Sequence, residues 1–98
     1  VMTQVAPGVY QIYFEDVEED LNYQVKFAVN GGWANNFGAA EEGFVCTSGE
    51  AFNAVYNGKN IYVHVEESGS TVILLLDLTQ FDYATKTGAS VKITVVPA

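Results

Sequence analysis

The alternation of apolar and polar positions is clearest at residues 23–29, where Tyr23, Val25, Phe27 and Val29 point one way and Gln24, Lys26 and Ala28 the other. A two-residue period of this kind predicts a strand with one buried face. Residues 9–14 are β-branched and aromatic behind the turn pair Pro7-Gly8, with Tyr10, Ile12 and Phe14 as the more apolar, core-facing side. At residues 60–65, Ile61, Val63 and Val65 oppose Tyr62 and His64; at 91–96, Val91, Ile93 and Val95 oppose Lys92 and Thr94. Residues 71–78 are apolar on both faces, which predicts a central strand. Shorter strands are expected at 51–56 and at 44–46.

Between these runs stand Asn30-Gly31-Gly32, Asn57-Gly58 and Ser68-Gly69-Ser70, which supply turn residues, several tolerant of positive φ. Residues 15–20 carry acids interrupted only by Val17 and read as a solvated connection. Residues 35–49 have glycines at 38, 43 and 49 and no period, so they read as mainly loop; residues 81–88 read as a loop or one helical turn. No amphipathic helix, internal repeat or linker is visible. The expected architecture is all-β: a single domain over residues 1–98, folded as an antiparallel, immunoglobulin-like β-sandwich of six to seven short strands.

Composition narrows the function classes. The chain has 98 residues, 49% hydrophobic and 16% charged, enough apolar content for one core and too little charge for disorder. Acids outnumber bases 12 to 4, for a net charge of -8, which argues against grasping nucleic-acid phosphates or docking on anionic lipid. No apolar run approaches the ~18 residues of a membrane span. The single cysteine excludes an intrachain disulfide framework and a multi-cysteine metal cage. The opening Val1-Met2-Thr3-Gln4 has no signal-peptide pattern, and a start on Val rather than Met implies that the native beginning is missing.

Candidate catalytic groups are sparse. His64 is the only histidine, on a predicted strand, and no G-x-S-x-G elbow accompanies it. A Cys46–His64 pair is conceivable, but Cys46 follows Phe44-Val45 and reads as a small buried hydrophobe. Glycoside hydrolysis needs two carboxylates across a cleft. The acids here (Glu15, Asp16, Glu18, Glu19, Asp20, Glu41, Glu42, Glu66, Glu67) come in loop clusters that read as solvated faces. No calcium-loop, phosphate-loop or dinucleotide pattern occurs, so a Ca²⁺ at 16–20 or at Glu41-Glu42 would be adventitious. No enzymatic activity, built metal site or cofactor is expected.

Six Tyr, six Phe and one Trp are the unusual part of the composition. Trp33 follows the glycine turn and precedes an amide-rich stretch, with Lys26 on the outward face of the preceding strand. The C–H face of a pyranose ring packs on a flat indole, and Lys and Asn side chains bond its equatorial hydroxyls. By position alone, Trp33 fits a sugar platform and a loop-packing residue equally well.

The stretch Tyr23-Gln24-Val25-Lys26-Phe27-Ala28-Val29-Asn30-Gly31-Gly32-Trp33, continued by Ala34-Asn35-Asn36-Phe37-Gly38, resembles starch- and glycogen-binding β-sandwich modules. It looks closest to the accessory starch-binding modules of bacterial amylopullulanases and to modules on starch-adhesion proteins of gut bacteria. The resemblance implies a non-catalytic carbohydrate-binding module of a larger multidomain protein, extracellular or on the cell surface. Its partners would be an α-1,4-glucan polysaccharide or maltooligosaccharide and the neighbouring domains of the parent protein. It implies that Trp33 and Lys26 contact glucan, that Asn60, at the head of Asn60-Ile61-Tyr62-Val63-His64-Val65, bonds hydroxyls, and that Asn35 or Asn36 contributes.

Two departures stand out. Family members carry a further first strand and a second platform aromatic upstream of residues 9–14, where this chain has only residues 1–8. The second ring is then lost, trimmed, or replaced by Tyr10, Tyr13 or Tyr62. The acid of the usual pair after the Trp is replaced by Ala34-Asn35. A structural spacer or a protein-interaction sandwich without sugar binding is the alternative these departures keep open.

Overall fold

The strand signals are realised in a computed structural model that describes residues 2–29 and 32–98, with the side chains of 29 and 32–35 outside the description. In chain order the strands are β1 (Thr3–Ala6), β2 (Val9–Val17), β3 (Asp20–Val25), β4 (Phe27–Val29), β5 (Gly32–Gly38), β6 (Ala51–Asn53), β7 (Val55–Tyr56), β8 (Ile61–Val65), β9 (Ser70–Asp77) and β10 (Ser90–Val96). Neighbouring strands pair antiparallel within a five-stranded sheet ordered β1-β2-β9-β10-β6, a β3-β8 pair, and a three-stranded group β4-β5-β7.

The twofold-apolar run became the central strand, as its pattern predicts. Ser70, Val72, Leu74 and Leu76 of β9 are buried, and the alternate residues are half-buried on the outer face. From the facing sheets, Ile61, Val63 and Val65 of β8 and Phe27 and Phe37 join Val91 and Ile93 of β10 in one hydrophobic cluster. Two layers of antiparallel strands thus close on a single core, an all-β arrangement consistent with a β-sandwich.

The strand count differs from expectation: ten strands occupy the described residues rather than six to seven. β1 adds a strand before Pro7-Gly8, pairing with β2. Residues 32–38, of which 35–38 are expected as loop, form β5 because the buried Phe37 pairs across to Phe27 on one side and Tyr56 on the other. The expected strand at 23–29 divides at Lys26, since β3 pairs with β8 and β4 with β5. That at 51–56 divides at Ala54, whose N–H donates to the Ala89 carbonyl at 2.9 Å; β6 pairs with β10 while β7 pairs with β5. Residues 44–46 make only a bridge between Val45 and Tyr62. The 81–88 segment is a turn closed by an Asp82–Thr87 bridge. Phe14, expected in the core, is 51% exposed beside a β-bulge that shifts the β2–β9 register after it.

Where β5 meets the chain leading into β8, two glycines permit a close crossing. Ala39 and Lys59 exchange backbone bonds at 2.7 and 2.8 Å. A Cβ on Gly38 would run into the Lys59 carbonyl, and one on Gly58 would stand 2.6 Å from the Ala39 carbonyl oxygen. Asn57 turns the chain with φ 55°, at the turn pair expected there.

Candidate polysaccharide-binding cleft

β3 and β8 place their even-numbered side chains on the outside of the smaller layer. Tyr23 and Val25 pack against the core and Ile61 and Val63 lie in it, so Gln24 and Lys26, with Asn60 and Tyr62, face away from it. The ladder sets Gln24 opposite Tyr62 and Val25 opposite Ile61, and the Asn60 amide Nδ2 donates to Gln24 Oε1 at 2.8 Å. On one side the close crossing presents Asn57 and Lys59; on the other, Glu42 and Gly43 arrive from the loop anchored by the Val45–Tyr62 bridge. These groups line a polar, open cleft of about 360 Å³.

The cleft therefore brings together two of the residues singled out from sequence, Lys26 and Asn60. Lys26 is half-buried at the junction of β3 and β4, and Asn60 is exposed. Asn36 is elsewhere: it is 7% exposed, and its Nδ2 donates to Asn57 Oδ1 at 3.0 Å. It braces the turn that lines the cleft. Trp33 and Asn35 lie on β5, but their side chains fall outside the described residues. Alternation does not orient them either, because the β4–β5 register slips between the Ala28–Asn36 and Val29–Gly32 pairs and leaves 33–35 as a bulge. Asn30 and Gly31, where the sequence predicts a turn, also lie outside the described residues.

Of the rings considered as a second platform, Tyr62 lines the cleft. Tyr10 packs against the core, and Tyr13 is 57% exposed on the opposite layer, across from Ile73. Sequence reasoning missed Gln24, Asn57, Lys59 and Glu42 as lining groups. Gln24 was visible as an outward residue, but its neighbours across the sheet depend on register, which a single sequence does not display.

Other candidates have ordinary surroundings. His64 is exposed on β8. Cys46 is half-buried, its N–H donates to the Tyr62 carbonyl at 3.0 Å, and burial pushes its thiol pKa up, which keeps it protonated and a weak nucleophile. Among the described residues no group of His, Cys, Asp or Glu is arranged to hold a metal ion. A second depression, about 310 Å³, lies between Ala39, Glu41 and the Phe44–Phe52 ring pair and contains none of the residues marked by the starch-module resemblance.

Compared with models of known protein families the chain matches none, and comparison with curated proteins finds no significant match.

Proposed function

We propose that this chain is a non-catalytic α-glucan-binding module, an immunoglobulin-like β-sandwich serving a larger secreted or surface-attached protein. The observation that carries the reading is the meeting of Lys26 and Asn60, each marked by the starch-module resemblance, in one polar cleft beside Tyr62. Lys26 Nζ donates to sugar hydroxyls, and the amides of Asn60 and Gln24 donate and accept. Tyr62 on the cleft wall offers a ring face for the C–H side of glucose, the role that the resemblance assigns to Trp33. Among the described lining residues Glu42 is the one carboxylate, where glycoside hydrolysis by the usual route needs two, which supports a reading of holding a chain rather than cutting it.

The test is electrophoresis of the chain through gels with and without amylopectin. Wild type is retarded by the polymer, and Trp33→Ala and Lys26→Ala each weaken binding, the Trp33 change by about tenfold or more, the scale of losing a central aromatic contact. Equal wild-type mobility in both gels refutes the proposal and favours the spacer alternative.

A further inference from the structure

We infer that this cleft, taken as the glucan site proposed above, prefers glucans bearing anionic substituents, and that Lys59 acts with Lys26 to recognise the charge. All four basic residues of the chain are lysines, at 26, 59, 86 and 92. Two of them line this one cleft. Lys86 is engaged elsewhere, its Nζ 5.2 Å from the centroid of the Tyr56 ring, and Lys92 lies on β10 across the ladder from Leu75 and Ala51.

Neither cleft lysine is neutralised. Although the chain has 12 acids, among the described residues no carboxylate lies within the 4.0 Å ion-pair distance of Lys26 or Lys59. The acids are concentrated away from them. Glu15, Asp16, Glu18, Glu19 and Asp20, with Glu66 and Glu67, gather where Asp20 pairs with Val65, whereas the cleft lies at the Val25–Ile61 end of the same ladder. Among the described residues the lining carries two ammonium groups and the single carboxylate of Glu42, a local excess of positive charge on a chain of net charge -8.

Neutral hydroxyls do not require this. Gln24, Asn57 and Asn60 already supply amide donors and acceptors to the same surface. An ammonium group is a strongly hydrated point charge, and it gains most when its partner is a phosphate or carboxylate oxygen. Lys59 is also well rooted, since its N–H and carbonyl are both bonded to Ala39, so its side chain starts from a fixed point at the cleft wall.

The experiment compares binding of the full chain to a phosphorylated amylopectin, the same polymer after phosphatase treatment, and the dephosphorylated polymer oxidised to carboxylates at C6. At low ionic strength the phosphorylated polymer binds about fivefold tighter than its dephosphorylated form, the scale of a partly exposed charge pair. The preference shrinks toward unity as ionic strength rises from about 0.01 M to about 1 M, where the screening length falls from about 30 Å to about 3 Å. Lys59→Gln loses the preference and Lys59→Arg keeps it, with unchanged circular dichroism spectra for both. Tighter binding of the oxidised polymer as well assigns the effect to charge in general; its absence restricts it to phosphate. Equal low-salt affinity for the phosphorylated and dephosphorylated polymers overturns the inference while leaving the glucan site in place. So does a preference that survives Lys59→Gln. Binding to none of the three polymers overturns both.

Discussion

Gly38 and Gly58 have roles set by what stands against their α-carbons rather than by flexibility. At each, a methyl group would meet a backbone carbonyl from the crossing strand, and backbone cannot step aside as a side chain can. Gly38→Ala is therefore expected to lower stability by about 2 kcal/mol or more, measured as a drop in urea midpoint at unchanged slope. Gly43 is the comparison: its φ of 80° disfavours a side chain, but nothing lies within 4 Å, so Gly43→Ala should cost only about 1 kcal/mol. Similar losses at both positions would mean that the crossing is looser than its geometry. The crossing also concerns function, because it sets Lys59 and Asn57 on the wall of the cleft.

Among the elements, β9 decides the stability of the larger sheet, since it is hydrogen-bonded on both sides and buries one whole face. Leu74→Ala, at 5% exposure, is expected to cost about 3 kcal/mol, and Leu75→Ala on the half-buried outer face distinctly less. Denaturant melts of the two variants check the assignment of faces, and comparable losses would contradict it. Strands such as β8 and β9 were legible in the sequence because burial of one face, or of both, leaves a period in the residue types. β5 was not legible. Gly32-Trp33-Ala34-Asn35-Asn36-Phe37-Gly38 carries no alternation, and it is a strand because Phe37 finds partners on both sides. The divisions at Lys26 and Ala54 were hidden for a related reason: each marks a change of partner, and partner choice leaves no trace in a residue's own polarity. Hence Lys26 and Asn60 could be named singly, while their meeting with Gln24 and Tyr62 waited on the register of β3 against β8.

Over the whole molecule the charge is lopsided, with most of the acids at the Asp20–Val65 end, on the end of β2, the start of β3 and the turns beside them, and two of four lysines at the cleft. Crowded like charges oppose folding until salt screens them. Raising ionic strength from about 0.01 M to about 0.15 M shortens the screening length from about 30 Å to about 8 Å. The thermal midpoint should then rise by about 4 °C, equivalent to under about 1 kcal/mol for a domain of this size. Calorimetry at the two salt levels checks this, and a flat or falling midpoint would show that the acidic end is already relaxed.

The change of partner at Ala54 bears on how the molecule can come apart. One continuous ribbon of chain is stitched first into the larger sheet and then into the smaller one, with the Ala54–Ala89 bond as the knot. A pair of sheets joined only by loops can open like the covers of a book, each cover surviving on its own. Here a page is sewn into both covers, so swinging them apart tears β6 from β10 or β7 from β5, and the two layers melt as one cooperative unit.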